Sequence, residues 1–202
     1  MSVWRGQSPL ILASQSRARQ MLLANAGIEF EAIPADLDER SIQQSSGFTA
    51  PGEVAKLLAR EKARSVSLEQ AGAFVAGADQ TLALAERLFS KPAGRAQAAE
   101  QLRALAGGSH QLHSAVAIAR DGSIMFEAAT VATMTMRPLS AAEIESYLDA
   151  AGEAVASSVG AYQLEGLGIH LFERIEGDHF TILGLPLMPL LGYLRSQHLL
   201  AL

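Results

Sequence analysis

Short apolar runs alternate with stretches of helical period along the whole chain, and this alternation most limits what it can fold into. Pro9–Ala13 and Ala73–Gly77 have the length and composition of buried strands, and helix-forming segments lie between them. A chain organised this way reads as an α/β protein. Ser14 or Ser16 caps a helix that runs to about Ala26 and ends at Gly27. Ile28–Ile33 alternates as a strand, and the polar stretch Asp36–Ala50 reads as a loop. Pro51 opens a helix with the apolar period Val54, Leu57, Leu58 that continues to about Val66.

Farther on, the strand at Ala73–Gly77 delivers Asp79 at its end, and Thr81–Leu84 with Arg87–Phe89 suits a hairpin. Gly94–Leu105 is a predicted helix. Gln111–Ala119 and Ile124–Met136 are long strands around the turn Asp121-Gly122. Ser140 and Glu143 form a capping box for a helix to about Ala150. The glycine-rich stretch Gly152–Gly168 reads as a loop, Ile169–Ile175 as a strand, and Gly184-Leu185-Pro186 as a turn into a last helix to about Gln197. Leu190, Leu191, Leu194, Leu199 and Leu200 make that C-terminal segment either core or a homodimer face.

Composition narrows the function. The 202 residues include no cysteine, which excludes disulfides, thiolate catalysis and iron–sulfur clusters. The net charge of −5 and a pI near 5.5 argue against nucleic acid as a partner. The apolar run near the N-terminus is too short for a signal segment or a membrane span, so the reading is a soluble, cytoplasmic, single domain over 1–202. Only three lysines, Lys56, Lys62 and Lys91, stand against thirteen arginines. Within an acidic chain, an anionic substrate needs local positive charge, so each lysine is informative.

Several segments carry candidate chemistry. Leu12-Ala13-Ser14-Gln15-Ser16-Arg17-Ala18-Arg19 runs from a strand into a helix start, where free N–H groups, hydroxyls and an arginine fork suit phosphate oxygens. Taken alone, serines before a helix are more often plain N-caps. Gly77-Ala78-Asp79-Gln80 places a carboxylate beside a strand, able to hold a divalent cation or orient a water, or simply to satisfy turn N–H groups. Ser90-Lys91-Pro92 and Lys62 offer compact positive charges. His110 and His113 lie three apart in a strand and face opposite sides, so the histidines make no metal site.

Taken in order, seven pieces resemble the Maf family of nucleoside triphosphate pyrophosphatases. They are Leu12-Ala13-Ser14-x-Ser16-x-x-Arg19, Asp38-Glu39, Leu58-Ala59-x-x-Lys62-Ala63, Gly77-Ala78-Asp79, Lys91-Pro92, Gly160-Ala161-Tyr162 with Glu165-Gly166-x-Gly168, and Gly184-Leu185-Pro186-Leu187. The resemblance implies an α/β fold like that of inosine triphosphate pyrophosphatases: a long mixed sheet flanked by helices, in two lobes with a central cleft. It implies hydrolysis of a nucleoside triphosphate to the monophosphate and pyrophosphate, with Mg²⁺ or Mn²⁺. On the family's positions, Asp79 is the catalytic carboxylate, and Ser14, Arg19, Lys62 and Lys91 contact phosphate. Glu39 stands with Asp79 near the metal.

Other positions speak to the base. The branch preferring dTTP and UTP is marked by Arg, Thr and Gln, whereas Gln80 and Glu165 look like the branch acting on 7-methyl-GTP. Ala18 stands where that branch has an aromatic residue, and Ser158 where the family often has lysine. A carboxylate at Glu165 accepts hydrogen bonds from the N1–H and N2 amine of guanine and favours the positive charge of an N7-methylated ring, while it repels the carbonyls of uracil and thymine. The expected preference is therefore 7-methyl-GTP-like purines. The alternatives are a dTTP/UTP or broad-specificity pyrophosphatase, a nucleotide-binding module without turnover, and a non-enzymatic regulator of septum formation.

Overall fold

The computed structural model describes residues 3–202. Strand β1 (Leu10–Leu12) leads into helix α1 (Arg17–Asn25), strand β2 (Phe30–Ala32), and helices α2 (Glu39–Ser46) and α3 (Pro51–Glu69). Strands β3 (Val75–Leu84) and β4 (Arg87–Phe89) precede helix α4 (Arg95–Leu105), and the long strands β5 (Ser109–Arg120) and β6 (Ser123–Met136) follow. Helix α5 (Ala141–Ala151), three 3₁₀ turns, strand β7 (Phe172–Glu176) and helices α6 (His179–Ile182) and α7 (Leu187–Ser196) complete the chain. The strands form one mixed sheet in the order β2-β1-β3-β5-β6-β7, with β4 paired to β3. β1 runs parallel to β2 and β3, while β3–β4 and β6–β7 are antiparallel. The expected class, a mixed α/β sheet flanked by helices, is what the chain adopts.

Two compact units share this topology. The first comprises the residues up to Gln80 with His113–Thr130 and His179–Leu202; the second comprises Thr81–Leu112 and Val131–Asp178.

In the first unit the two faces of the sheet are covered differently, because successive strand side chains point to opposite sides. Leu10, Leu12, Ala76, Ala78, Val116 and Ile118 pack against Leu22 and Leu23 of α1 and Leu187, Leu190 and Leu194 of α7. The C-terminal leucines expected as core or dimer face are thus mostly core, with Leu191 and Leu200 packed partly buried beside them. The other face carries Ala115, Ala117 and Ala119 against Ala55, Ala59 and Ala63 of α3. These alanines let α3 approach closely, and Gly77 completes the fit. A Cβ on Gly77 would lie 2.2 Å from the Ala59 carbonyl oxygen and 2.5 Å from the Ala63 nitrogen.

The second unit has its own buried residues. Leu102 and Leu105 of α4, Ile144 and Leu148 of α5, and Met134 and Met136 of β6 are buried. The capping box at Ser140 forms in full: its hydroxyl accepts from the Glu143 N–H, and the Glu143 carboxylate accepts from the Ser140 N–H. The turn at Asp121-Gly122 also forms as expected, with positive φ at both residues.

Three expectations are corrected. The polar stretch Asp36–Ala50 is not all loop, since it contains α2. Its sequence offers one apolar residue, Ile42, so it has no apolar stripe to reveal it, and no α2 side chain is buried. Its ends define it instead: the Asp38 carboxylate accepts from the Ser41 N–H at 3.0 Å, and Gly47 turns left-handed at φ +71°. Second, Asp79 is not at a strand end. β3 continues through it to Leu84, because Thr81–Leu84 extends the same strand before the hairpin to β4. Third, 3₁₀ turns occupy Gly152–Ala156, Val159–Ala161 and Leu167–Leu171, so β7 starts only at Phe172. The short helix α6 carried no period long enough to be seen.

The backbone contact at Gly77 makes a direct prediction. Gly77→Ala forces α3 off the sheet and should cost about 3 kcal/mol, at the upper end of overpacking, lowering Tm by roughly 10 °C. Gly192→Ala in α7, where nothing lies within 4 Å of the new Cβ, should leave Tm unchanged or slightly raised. Thermal unfolding of the two variants checks both.

Candidate active site

The close packing of α3 on β3 brings charge together. Gly77 and Asp79 share the α3-facing side of β3, and Lys62 precedes Ala63, the residue over Gly77. The Lys62 ammonium donates to Asp79 Oδ1 at 2.6 Å and lies 2.8 Å from Glu39 Oε1. Lys62 and Asp79 are largely buried, with side chains 12% and 10% exposed, while Glu39 is half exposed on α2. One ammonium therefore bridges a fixed carboxylate and a surface one.

Arg19 completes the cluster. Ser16 caps α1 by accepting from the Arg19 N–H, which sets the first turn and points the guanidinium inward. Arg19 Nε donates to the Gly184 carbonyl at 2.8 Å, and Nη1 donates to the Ala78 carbonyl at 2.7 Å and to Ser14 Oγ at 3.2 Å. Among the described residues no protein acceptor takes the Nη2 hydrogens. Ser14 also accepts from the Ser16 N–H, so its own hydroxyl hydrogen is left to donate.

Electrostatics follow from burial. Desolvation raises the Asp79 pKa above the ordinary value of 3.8, against the opposing pull of Lys62 and Arg19. Desolvation likewise pushes Arg19 down, opposed by Asp79 and Glu39. Arg19 stays protonated in any case. The result is a buried carboxylate with a raised proton affinity between two fixed cations.

The structure thus gathers Ser14, Arg19, Glu39, Lys62 and Asp79 in the first unit. Gln80 belongs to the same unit but faces away from α3, and its amide Nε2 donates to Ser114 Oγ and to the Thr181 and Ile182 carbonyls. Ala18 is half-buried and packs against the apolar core. Lys91 and Glu165 are exposed residues of the second unit.

Buried polar residues that the motifs do not flag support these elements. Ser114 and Thr181 are completely buried, with the Ser114 hydroxyl donating to the Thr181 carbonyl at 2.6 Å. In the second unit, Gln101 donates to the Ser90 carbonyl, next to Lys91, and accepts from the Gly160 N–H, so one amide ties two motif segments together. Their signal was a polar residue at an inward position of an apolar period. His110 is buried against Tyr162, with 2.7 Å between its Nε2 and the phenol oxygen, and burial lowers its pKa to about 4.

Among the described residues no three His, Asp or Glu side chains gather at one point, and no helix is long and apolar enough to cross a membrane.

Comparison with known proteins agrees with the motif order. The chain is 69% identical to a nucleoside triphosphate pyrophosphatase of Bradyrhizobium diazoefficiens over the full length of both. It is 67% identical to a protein of the same name from Nitrobacter winogradskyi, again over both full lengths. A 7-methyl-GTP pyrophosphatase of Rhizobium etli is 51% identical, over 93% of this chain and 95% of that protein. Among solved structures, a HAM1 protein from Coxiella burnetii aligns with a TM-score of 0.42 at 20% identity, over 63% of this chain and 72% of that one. A family model described as Maf-like protein matches residues 9–197, and the chain belongs to the Maf family.

Proposed function

We propose that this protein hydrolyses a nucleoside triphosphate at the bond between the α-phosphorus and the α–β bridging oxygen, giving the nucleoside monophosphate and pyrophosphate. The carrying observation is the Lys62 ammonium held between Asp79 and Glu39 beside the half-buried Arg19 fork. The names of relatives at 69% and 67% identity support the same reaction class.

Each residue has a task. Asp79 accepts the proton of an attacking water, whose oxygen bonds to the α-phosphorus as the bond to the bridging oxygen breaks. Arg19 Nη2, the Ser14 hydroxyl and Lys62 hold phosphate oxygens where negative charge develops, and they are fixed before substrate arrives. Lys91 is a further phosphate contact and Ala18 lines the base side, on the motif resemblance alone. The donor set of Glu39 and Asp79 is all hard oxygen around a place a cation already occupies, so it fits Mg²⁺ or Mn²⁺, with water and phosphate oxygens filling the other positions. Such an ion supplies charge neutralisation at the polyphosphate and acidifies bound water.

For the base, the reading is a preference for 7-methyl-GTP-like purines over dTTP and UTP. The Glu165 carboxylate supports it by charge, and the Rhizobium etli relative supports it by name. Cytoplasmic house-cleaning of modified nucleotides is the corresponding role.

Four outcomes are expected. Asp79→Asn should lower kcat by at least about 10² with the fold retained, as for loss of a general base; near-normal turnover of the folded variant refutes the assignment. The acid limb of the kcat/KM profile should lie above pH 3.8, since activity is lost as pH falls through the raised Asp79 value. The stability linkage runs the opposite way: the folded state binds this proton more tightly than the unfolded chain, so the contribution is lost as pH rises from 3.8 through the folded value, and Asp79→Asn removes that slope. A pyrophosphate-release screen with Mg²⁺ and Mn²⁺ should rank 7-methyl-GTP above dTTP and UTP; the reverse order overturns the base preference but not the reaction.

A further inference from the structure

Arg19 is aimed by a carbonyl that is itself held from behind. Its Nε donates to the Gly184 carbonyl, at the end of the turn that closes α6. Gly184 has φ +87°, and a Cβ there would stand 3.3 Å from Arg19 Nη2, so side chain and turn are in contact. This turn is short and buried, with Leu183 and Leu185 packed in the core, and its backbone carbonyls need partners there. It is secured by side chains from the sheet: Gln80 of β3 donates to the Thr181 and Ile182 carbonyls at 3.0 Å, and Ser114 of β5 donates to the Thr181 carbonyl at 2.6 Å. Gln80 also donates to Ser114 Oγ at 2.9 Å, and Thr181 Oγ1 donates to Thr130 Oγ1 of β6 at 2.7 Å. Ser114 and Thr181 are fully buried, so the bond between them is made without competition from water.

We infer that Gln80 and Ser114 are positioning residues for phosphate binding: they clamp residues 181–184 so that the Gly184 carbonyl fixes the direction of the Arg19 guanidinium. Both Gln80 amide hydrogens are directed at protein acceptors, which leaves this amide no donor for a base. Its effect on the reaction passes through Arg19 and is the same for every triphosphate. The inference rests on the proposed role of Arg19 in holding polyphosphate.

A double-mutant cycle separates the two. Inorganic pyrophosphate affinity, by calorimetry with Mg²⁺, and kcat/KM are measured for Ser114→Ala, Arg19→Ala and the double variant. Ser114→Ala should weaken pyrophosphate binding about fivefold, the scale of coupling between contacting groups, and should add nothing once Arg19 is alanine. Additive losses overturn the inference and leave the Arg19 role intact. An Arg19→Ala variant with unchanged affinity and turnover overturns the Arg19 role itself. If Ser114→Ala does not fold, Gln80→Met enters the same cycle, because it keeps the Ser114–Thr181 bond. Gln80→Met should also leave the ratio of 7-methyl-GTP to dTTP turnover unchanged, and a changed ratio overturns positioning in favour of base reading.

Discussion

Everything at the site depends on a contact between two backbones. Helix α3 meets strand β3 over Gly77 without an intervening side chain, on a seam of alanines from helix and sheet. Small residues make weak individual contributions to hydrophobic stabilisation, but they let two rigid elements pack at short range. That range is what the chemistry needs. Lys62 is anchored on the helix and Asp79 on the strand, and a wider gap would fill with water between them.

A buried ion pair is a poor source of stability, since desolvation of both charges offsets most of their attraction. Breaking such a pair is nevertheless costly, about 3–5 kcal/mol, because one charge is left buried alone. The arrangement around Lys62 is consistent with function rather than stability. The ammonium holds Asp79 at 2.6 Å, while the net effect of burial still raises the carboxyl's proton affinity. Arg19 shows the same logic in another form. Two backbone carbonyls and a serine hydroxyl compensate its burial and leave one edge of the guanidinium open.

Much of this was legible before any coordinates. β1 and α1 announce themselves by an apolar run, a serine cap and Gly27, and the capping box at Ser140 works as its spacing says. Lys62 and Asp79 could be named from motifs, but their contact could not, because it arises from α3 packing on a strand thirteen residues beyond Lys62 at its start. β3 was cut short because Asp79 and Gln80 interrupt the apolar run. A strand tolerates them where an ion pair and a buried amide network receive them, and no local pattern reports that. α2 was invisible for the opposite reason: none of its residues is fully buried, so its sequence carries no apolar repeat.

That last helix gives the two carboxylates different lifetimes at the site. Asp79 is locked into the centre of a sheet, and displacing it means global unfolding. Glu39 rides on a segment tied down by its end caps and a half-exposed charge contact. Segments with few buried groups open at a small fraction of the global free energy, so amide protons of α2 exchange with solvent long before those of β3. One wall of the charge cluster therefore opens only with the fold, and the other opens at a much smaller cost.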